Sequence, residues 1–150
     1  MGLGVKSATA LAFGVLGLAA GQAGAQTPLE RGTYLMSSIV NCGNCHTPQN
    51  ENGPIPGMEL AGGLVIEEDA FTVVTPNITP DAETGIGKWS ESQIVDVLKS
   101  GMLADGDFVG GAMTDVVNHG TSHLSDEDLK AIAVYLKSVK AVQNKVEKKK

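Results

Sequence analysis

Apolar residues along this chain fall into short runs of helical spacing, separated by long stretches rich in glycine and proline. Leu29 to Val40 predicts a first helix, with Tyr34, Leu35, Ile39 and Val40 as its apolar residues, running directly into Cys42. Gly43 to Gly63 holds five glycines, three prolines and three asparagines and predicts a loop; loops of that length usually wrap something. Phe71 to Val74 is a short extended run, ended by Pro76. Ser90 to Gln93 reads as a capping box opening a second helix, with Ile94, Val97 and Leu98 on one face and Gly101 as its stop. Met102 to Ala112 predicts another loop, followed by a short turn over Thr114 to Asn118. Ser125 caps a last helix whose Leu129, Ile132, Ala133 and Leu136 sit at i, i+3, i+4 and i+7. The pattern is all-α, three to four short helices joined by long loops, with no internal repeat.

The beginning of the chain follows a different pattern. Lys6 precedes an apolar stretch from Ala8 to Ala20, and Ala23-Gly24-Ala25 supplies a small-x-small cleavage pattern before Gln26. An apolar run of this length suits an export signal better than a membrane span, which needs about 20 residues. Residues 1–25 are therefore expected to be a signal peptide that directs the chain to the periplasm, and the mature chain is expected to lack a membrane span. Composition narrows the reading further. The whole chain carries 17 acids and 11 bases, a net −6, and loss of Lys6 makes it 10 bases against 17 acids, a net −7. That balance argues against nucleic acid as a partner. Two cysteines exclude a disulfide-rich scaffold. One Trp, two Tyr and three Phe leave little bulky material for a core, so a large apolar cofactor would help order the chain.

The two cysteines stand in Cys42-Gly43-Asn44-Cys45-His46, a CxxCH. This spacing puts both thiols on one side of a turn, able to add to the two vinyl groups of a haem, with the histidine beneath the iron. A disulfide redox pair would call for a βαβ context that the sequence lacks. A structural zinc site would need Cys42, Cys45 and His46 together with His119 or His123. An iron held by His46 needs a sixth ligand or an open position, and the choice separates electron carrier from ligand-activating enzyme or sensor. The candidates are Met36, Met58, Met102, Met113, His119 and His123. Met113 is favoured, because Gly110-Gly111-Ala112 lets backbone come close to a flat ligand. Met36 and Met58 lie on segments expected on the proximal side. Pro54 or Pro56 is a candidate to offer a backbone carbonyl to the free ring nitrogen of His46.

Set beside Met113 and the closing helix Leu129 to Leu136, the CxxCH makes the chain resemble a single-haem class I cytochrome c. Gly32-Thr33-Tyr34 and Tyr135-Leu136 resemble the contacts where the terminal helices cross in that fold. Thr75-Pro76-Asn77-Ile78-Thr79-Pro80-Asp81, Thr84-Gly85-Ile86-Gly87-Lys88-Trp89 and Ala131 to Ser138 are similar to the cytochrome subunits of bacterial membrane-associated alcohol and aldehyde dehydrogenases. The likeness covers Leu29 to Val139. It implies the cytochrome c fold around one covalent haem c, with His46 and Met113 as axial ligands, and contact of Asn77, Thr79 and Trp89 with the haem edge or propionates. Those subunits often carry several haem domains and an anchor, whereas this chain has one motif and no anchor. Many also flank the ligand methionine with proline, where Ala112 and Thr114 stand here.

The resulting expectation is a cytochrome domain over 26–141, with 142–150 as a flexible lysine-rich tail. Its function would be single-electron transfer between a dehydrogenase donor and a cytochrome or oxidase acceptor, as an electron carrier rather than an enzyme. A haem enzyme or sensor with an open distal site, and a zinc-binding interaction module, are the alternatives. Between Glu51 and Asp115 twelve acids face only Lys88 and Lys99, a net −10, whereas Lys130 to Lys150 carries seven lysines against Glu147, a net +6. The acidic loops are those expected around the haem, so a basic partner surface would be steered toward it.

Overall fold

The computed structural model describes Met1 and residues 25–147, so the expected signal segment lies, but for Met1 and Ala25, outside the described residues. Helix α1 spans Pro28–Ser38. Its first turn is closed by a capping box in which the Glu30 carboxylate accepts from Thr27 N at 2.8 Å and Thr27 Oγ1 accepts from Glu30 N at 3.3 Å. A single turn, α2 (Gly43–His46), follows. Two small antiparallel hairpins come next, β1 (Gln49–Asn50) with β2 (Gly53–Pro54) and β3 (Val65–Glu68) with β4 (Phe71–Val74). Helices α3 (Glu91–Ser100), α4 (Ala112–His119) and α5 (Asp126–Ser138) complete the fold, with a 3-10 turn at Thr121–His123 before α5.

The core is where α1, α3 and α5 meet. Leu35 and Met36 of α1, Ile94 and Leu98 of α3, and Leu129, Ile132, Ala133 and Leu136 of α5 are buried in one cluster, joined by Leu60 and Ile86 from the loops. The α1–α5 crossing is set by Gly32. A Cβ at that position would lie 2.1 Å from the Ala131 carbonyl oxygen and 2.9 Å from Tyr135 Cβ, so the two backbones touch where only hydrogen fits. Arg31 fastens the same crossing, with Nε 2.7 Å and an Nη 3.2 Å from the two Asp128 oxygens. The capping serines behave as their sequence predicts. Ser90 closes a box with Gln93, Ser125 Oγ accepts from Asp128 N, and Gly101 ends α3 at φ +78°.

Several expectations need correction. Tyr34 and Ile39 are exposed, and α1 instead buries Gly32, Leu35 and Met36. The face of this helix is decided by close backbone approach at Gly32 rather than by its aromatic residue. The turn expected over Thr114 to Asn118 is part of α4, which lacks a side-chain cap and buries Val117 alone, leaving little periodic signal. Five helices are present among the described residues, of which α2 is a single turn. Val65–Glu68 pairs with the predicted extended run Phe71–Val74, yet it is mostly solvent-facing and gives no clean alternation. Finally, the tail assigned from 142 onward is not free at its start. Val142 O accepts from Asn77 Nδ2 at 2.8 Å, and Asn144 donates to Ala61 O at 2.9 Å, so 142–144 is a strap across the domain. Among the described residues no helix is long and apolar enough to cross a membrane.

Gly32→Ala should destabilise the holoprotein by about 2 kcal/mol or more in urea denaturation, because α1 and α5 must part to admit the methyl group. Gly110→Ala, with nothing within 4 Å of the new Cβ, should fall within about 0.5 kcal/mol of the parent. The Asp128 carboxyl is held below its ordinary range by its hydrogen bond to Arg31. A depressed folded pKa stabilises above the unfolded value of about 3.9 and is lost as pH falls through the folded one. The stability gap between the parent and Asp128→Asn should therefore be full at neutral pH and close in acid below that value.

Candidate metal centre

The CxxCH forms the α2 turn. Cys42 is its N-cap, its carbonyl accepting from Cys45 N at 3.2 Å and His46 N at 2.8 Å, which winds the motif into one tight turn. Cys42 is half-buried, its sulfur 3.7 Å from that of Met36, while Cys45 is exposed. Burial pushes the Cys42 thiol up to about 11. That direction is opposite to the lowered value of a disulfide-exchange cysteine.

His46 closes the turn and is buried, about 9% exposed. Its Nδ1 lies 2.8 Å from the Pro76 carbonyl oxygen. A carbonyl only accepts, so Nδ1 carries the proton and donates it, which leaves the lone pair on Nε2. Burial holds the ring below the ordinary imidazole pKa, with the Pro76 bond partly opposing, and so favours this neutral form. Nε2 makes no hydrogen bond, and among the described residues no buried side-chain nitrogen or oxygen lacks a partner, so Nε2 opens onto accessible space. A buried neutral imidazole, fixed at one nitrogen and open at the other, is what a metal ligand requires. The carbonyl offered by Pro76 replaces the one expected from Pro54 or Pro56; both of those side chains are exposed, on the hairpin and turn beyond α2.

Two further contacts hold the turn. Thr47 Oγ1 accepts from Leu60 N at 3.1 Å, and Gly62 N donates to His46 O at 2.6 Å. Gly62 has φ +73°, and a Cβ there would sit 2.4 Å from the Pro76 carbonyl carbon, so a glycine is needed to bring the two segments together.

The remaining candidates sort by position. Met113 lies in the first turn of α4 and, with Cys42, Ile78 and Trp89, is half-buried on the rim of the apolar core. Met36 is buried within that core beside Cys42. Met102 is exposed and opposite Phe108 in an isolated bridge. Met58 is tied into the Ile55–Ala61 turn by its own backbone bonds. His119 and His123 are exposed, and His123 Nε2 lies 3.2 Å from Asn118 O. Among the described residues no three His, Cys, Asp or Glu converge as a metal set, which removes the zinc reading.

The polar atoms of Asn77 and Thr79 are engaged within the protein. Asn77 Oδ1 accepts from Thr79 N (2.9 Å) and Oγ1 (2.7 Å), and its Nδ2 donates to Thr84 Oγ1 (3.0 Å) and Val142 O (2.8 Å). The Asn77 amide is saturated within the protein, and the Thr79 hydroxyl is engaged as well. Trp89 differs, because its ring N–H makes no bond inside the chain and is left for another acceptor, while Lys137 Nζ fixes its carbonyl at 2.9 Å. A cavity of about 310 Å³ lies behind α2, lined by Met36, Thr47, Glu59, Leu60 and Tyr135 among others. Gly43 of the CxxCH lines it, whereas Cys45, His46 and Met113 do not.

The cytochrome c family model matches residues 29–140, from the start of α1 to just past α5. This chain belongs to the cytochrome c family. Its helical fold is that of the family, and that membership supports haem c as its cofactor. The cytochrome is 41% identical over 117 residues to the cytochrome c subunit of the quinone alcohol dehydrogenase of Gluconobacter oxydans, covering 76% of this chain and 24% of that protein. It is 43% identical over 114 residues to a dihaem c-type cytochrome of Cereibacter sphaeroides, covering 76% and 36%. A fructose dehydrogenase cytochrome subunit of Gluconobacter japonicus is 38% identical over 113 residues, covering 75% and 22%. The chain thus spans between about a quarter and a third of these relatives.

Proposed function

We propose that this cytochrome is an exported carrier with one haem c, relaying single electrons from a dehydrogenase to a downstream respiratory acceptor, free or as a dehydrogenase subunit. The observation that carries this reading is the His46 ring, fixed at Nδ1 by Pro76 and open at Nε2, on a turn that presents Cys42 and Cys45 beside it. Cys42 and Cys45 would tether the haem and His46 Nε2 would hold one axial face of the iron. Met113 Sδ, on the half-buried rim, would hold the other. When bound, the haem supplies the one-electron Fe(III)/Fe(II) couple. The soft thioether favours Fe(II) and so raises the potential, while the buried apolar rim limits water access. The named relatives support a dehydrogenase as donor, and the apolar run before Ala25 supports export to the periplasm.

Acidic loops border this centre. The Val73 and Phe71 side chains of β4 pack against Gly111, which brings the hairpin bearing Glu68 and Asp69 beside the first turn of α4. Asp105 and Asp107 lie in the loop before it. A basic partner surface would be steered to this side, raising encounter rates by about 10- to 1000-fold at low ionic strength.

Ligation is tested on the oxidised protein, where a thioether sulfur on Fe(III) gives a weak long-wavelength charge-transfer band. Met113→Ala should abolish that band and Met102→Ala should leave it; the opposite result would move the ligand to Met102. Docking is tested by stopped flow with a basic redox partner. The rate should fall steadily as the Debye length shrinks to about 8 Å at physiological salt, and a rate flat across that range would remove the acidic surface from the reading.

A further inference from the structure

We infer that the C-terminal strap, through Asn144, positions the His46 imidazole and thereby sets the redox potential of the centre. Two segments hold His46, and the strap is bonded to both. The first is the Ala61–Gly62 peptide. Its N–H donates to His46 O at 2.6 Å, and its carbonyl, Ala61 O, accepts from Asn144 Nδ2 at 2.9 Å. The same amide nitrogen lies 3.4 Å from Gly62 O. The second segment is Pro76–Asn77. Pro76 O receives the Nδ1 proton of His46, and the adjoining Asn77 donates through Nδ2 to Val142 O at 2.8 Å.

The two segments are also locked to each other. Gly62 lies so close to Pro76 that a Cβ would come within 2.4 Å of its carbonyl carbon. Thr84 Oγ1 accepts both Asn144 N at 2.9 Å and Asn77 Nδ2 at 3.0 Å, which ties the strap to the same hub. Asn144 is thus a positioning residue, acting on His46 through the Ala61–Gly62 peptide, which bonds the His46 backbone carbonyl and packs against Pro76, whose carbonyl meets the ring. A firm Nδ1–H···O=C bond makes the ring a stronger donor through Nε2, which favours Fe(III) and lowers the potential. Loosening the strap should do the reverse.

This inference rests on the reading of His46 as an iron ligand, and its test keeps the two apart. The purified parent must first show a reduced haem absorption spectrum; its absence ends that reading and says nothing about the strap. Asn144→Ala and the near-isosteric Asn144→Asp, which both lose the Nδ2 donor, are then compared with Asp128→Asn, which weakens the α1–α5 crossing instead. Asn144→Ala, which adds no charge, should raise the midpoint potential, so that at the parent's midpoint the Fe(II):Fe(III) ratio rises by about two- to threefold, whereas the carboxylate of Asn144→Asp favours Fe(III) and offsets that rise. Exchange of the His46 Nδ1 proton, followed by NMR, should quicken roughly fivefold, the change expected when an opening equilibrium loses about one hydrogen bond. Asp128→Asn should move neither. Loss of thermal stability in Asn144→Ala with unchanged potential and exchange would overturn the inference, as would an equal shift in Asp128→Asn. The parent alone provides a second test. The Gly62 N–H, the Asn144 side-chain protons and the His46 Nδ1 proton should share one opening event, with the same denaturant dependence, and separate openings would also overturn it.

Discussion

The bond from His46 Nδ1 to Pro76 O is the contact on which the rest of the site depends. At 2.8 Å it joins two segments thirty residues apart and fixes the tautomer, the orientation and the free face of the ring in one step. It also explains why the intervening chain is shaped as it is. The β1–β2 turn, the Gly62 corner and the β3–β4 hairpin form an excursion that must return Pro76 to the back of the imidazole. Leu60 O accepting from Ile78 N and the exchanges between Gly63, Leu64 and Thr75 close that excursion at its base. A buried imidazole without this carbonyl would have an unpaired donor, at a cost of about 1–3 kcal/mol.

The helical frame supplies the other half of the arrangement. Close contact at Gly32 lets α1 and α5 act as one rigid pair, against which α3 packs. Their side chains fill one cluster but leave an apolar margin of Cys42, Ile78, Trp89 and Met113 half-exposed. A chain with six aromatics in 150 residues has few side chains large enough to cover that margin. A flat apolar cofactor seated there would remove it from water, and binding of a haem and completion of the core would then be one event.

Much of this was legible in the sequence, and the parts that were not share a cause. Helices α3 and α5 announced themselves because a serine cap followed by apolar spacing is a local signal, as at Ser90 and Ser125. The CxxCH was legible because its chemistry depends on spacing alone. What stayed hidden was tertiary. Nothing local marks Pro76, rather than Pro54 or Pro56, as the residue whose carbonyl meets His46; that follows from where the Gly62 corner turns the chain. Helix α4 escaped notice because two glycines precede it and no side chain caps it. The start of the lysine-rich tail looked like solvated chain, yet Val142 and Asn144 bond to Asn77, Thr84 and Ala61 through backbone and amide groups that no hydropathy pattern reveals. Asn77 and Thr79 resemble cofactor contacts in the sequence, and in the structure they also bond to each other and to Val142 of that strap.

The claim at the centre of this account is that the Cys42–His46 turn carries one covalently attached haem. Mass spectrometry of the exported protein, after acid–acetone treatment to strip any haem held without a covalent bond, tests it most directly. The account predicts a polypeptide beginning at Gln26 with the added mass of one haem, and two haem thioethers mapped to Cys42 and Cys45 after digestion. A chain at its bare polypeptide mass with both thiols free would contradict it.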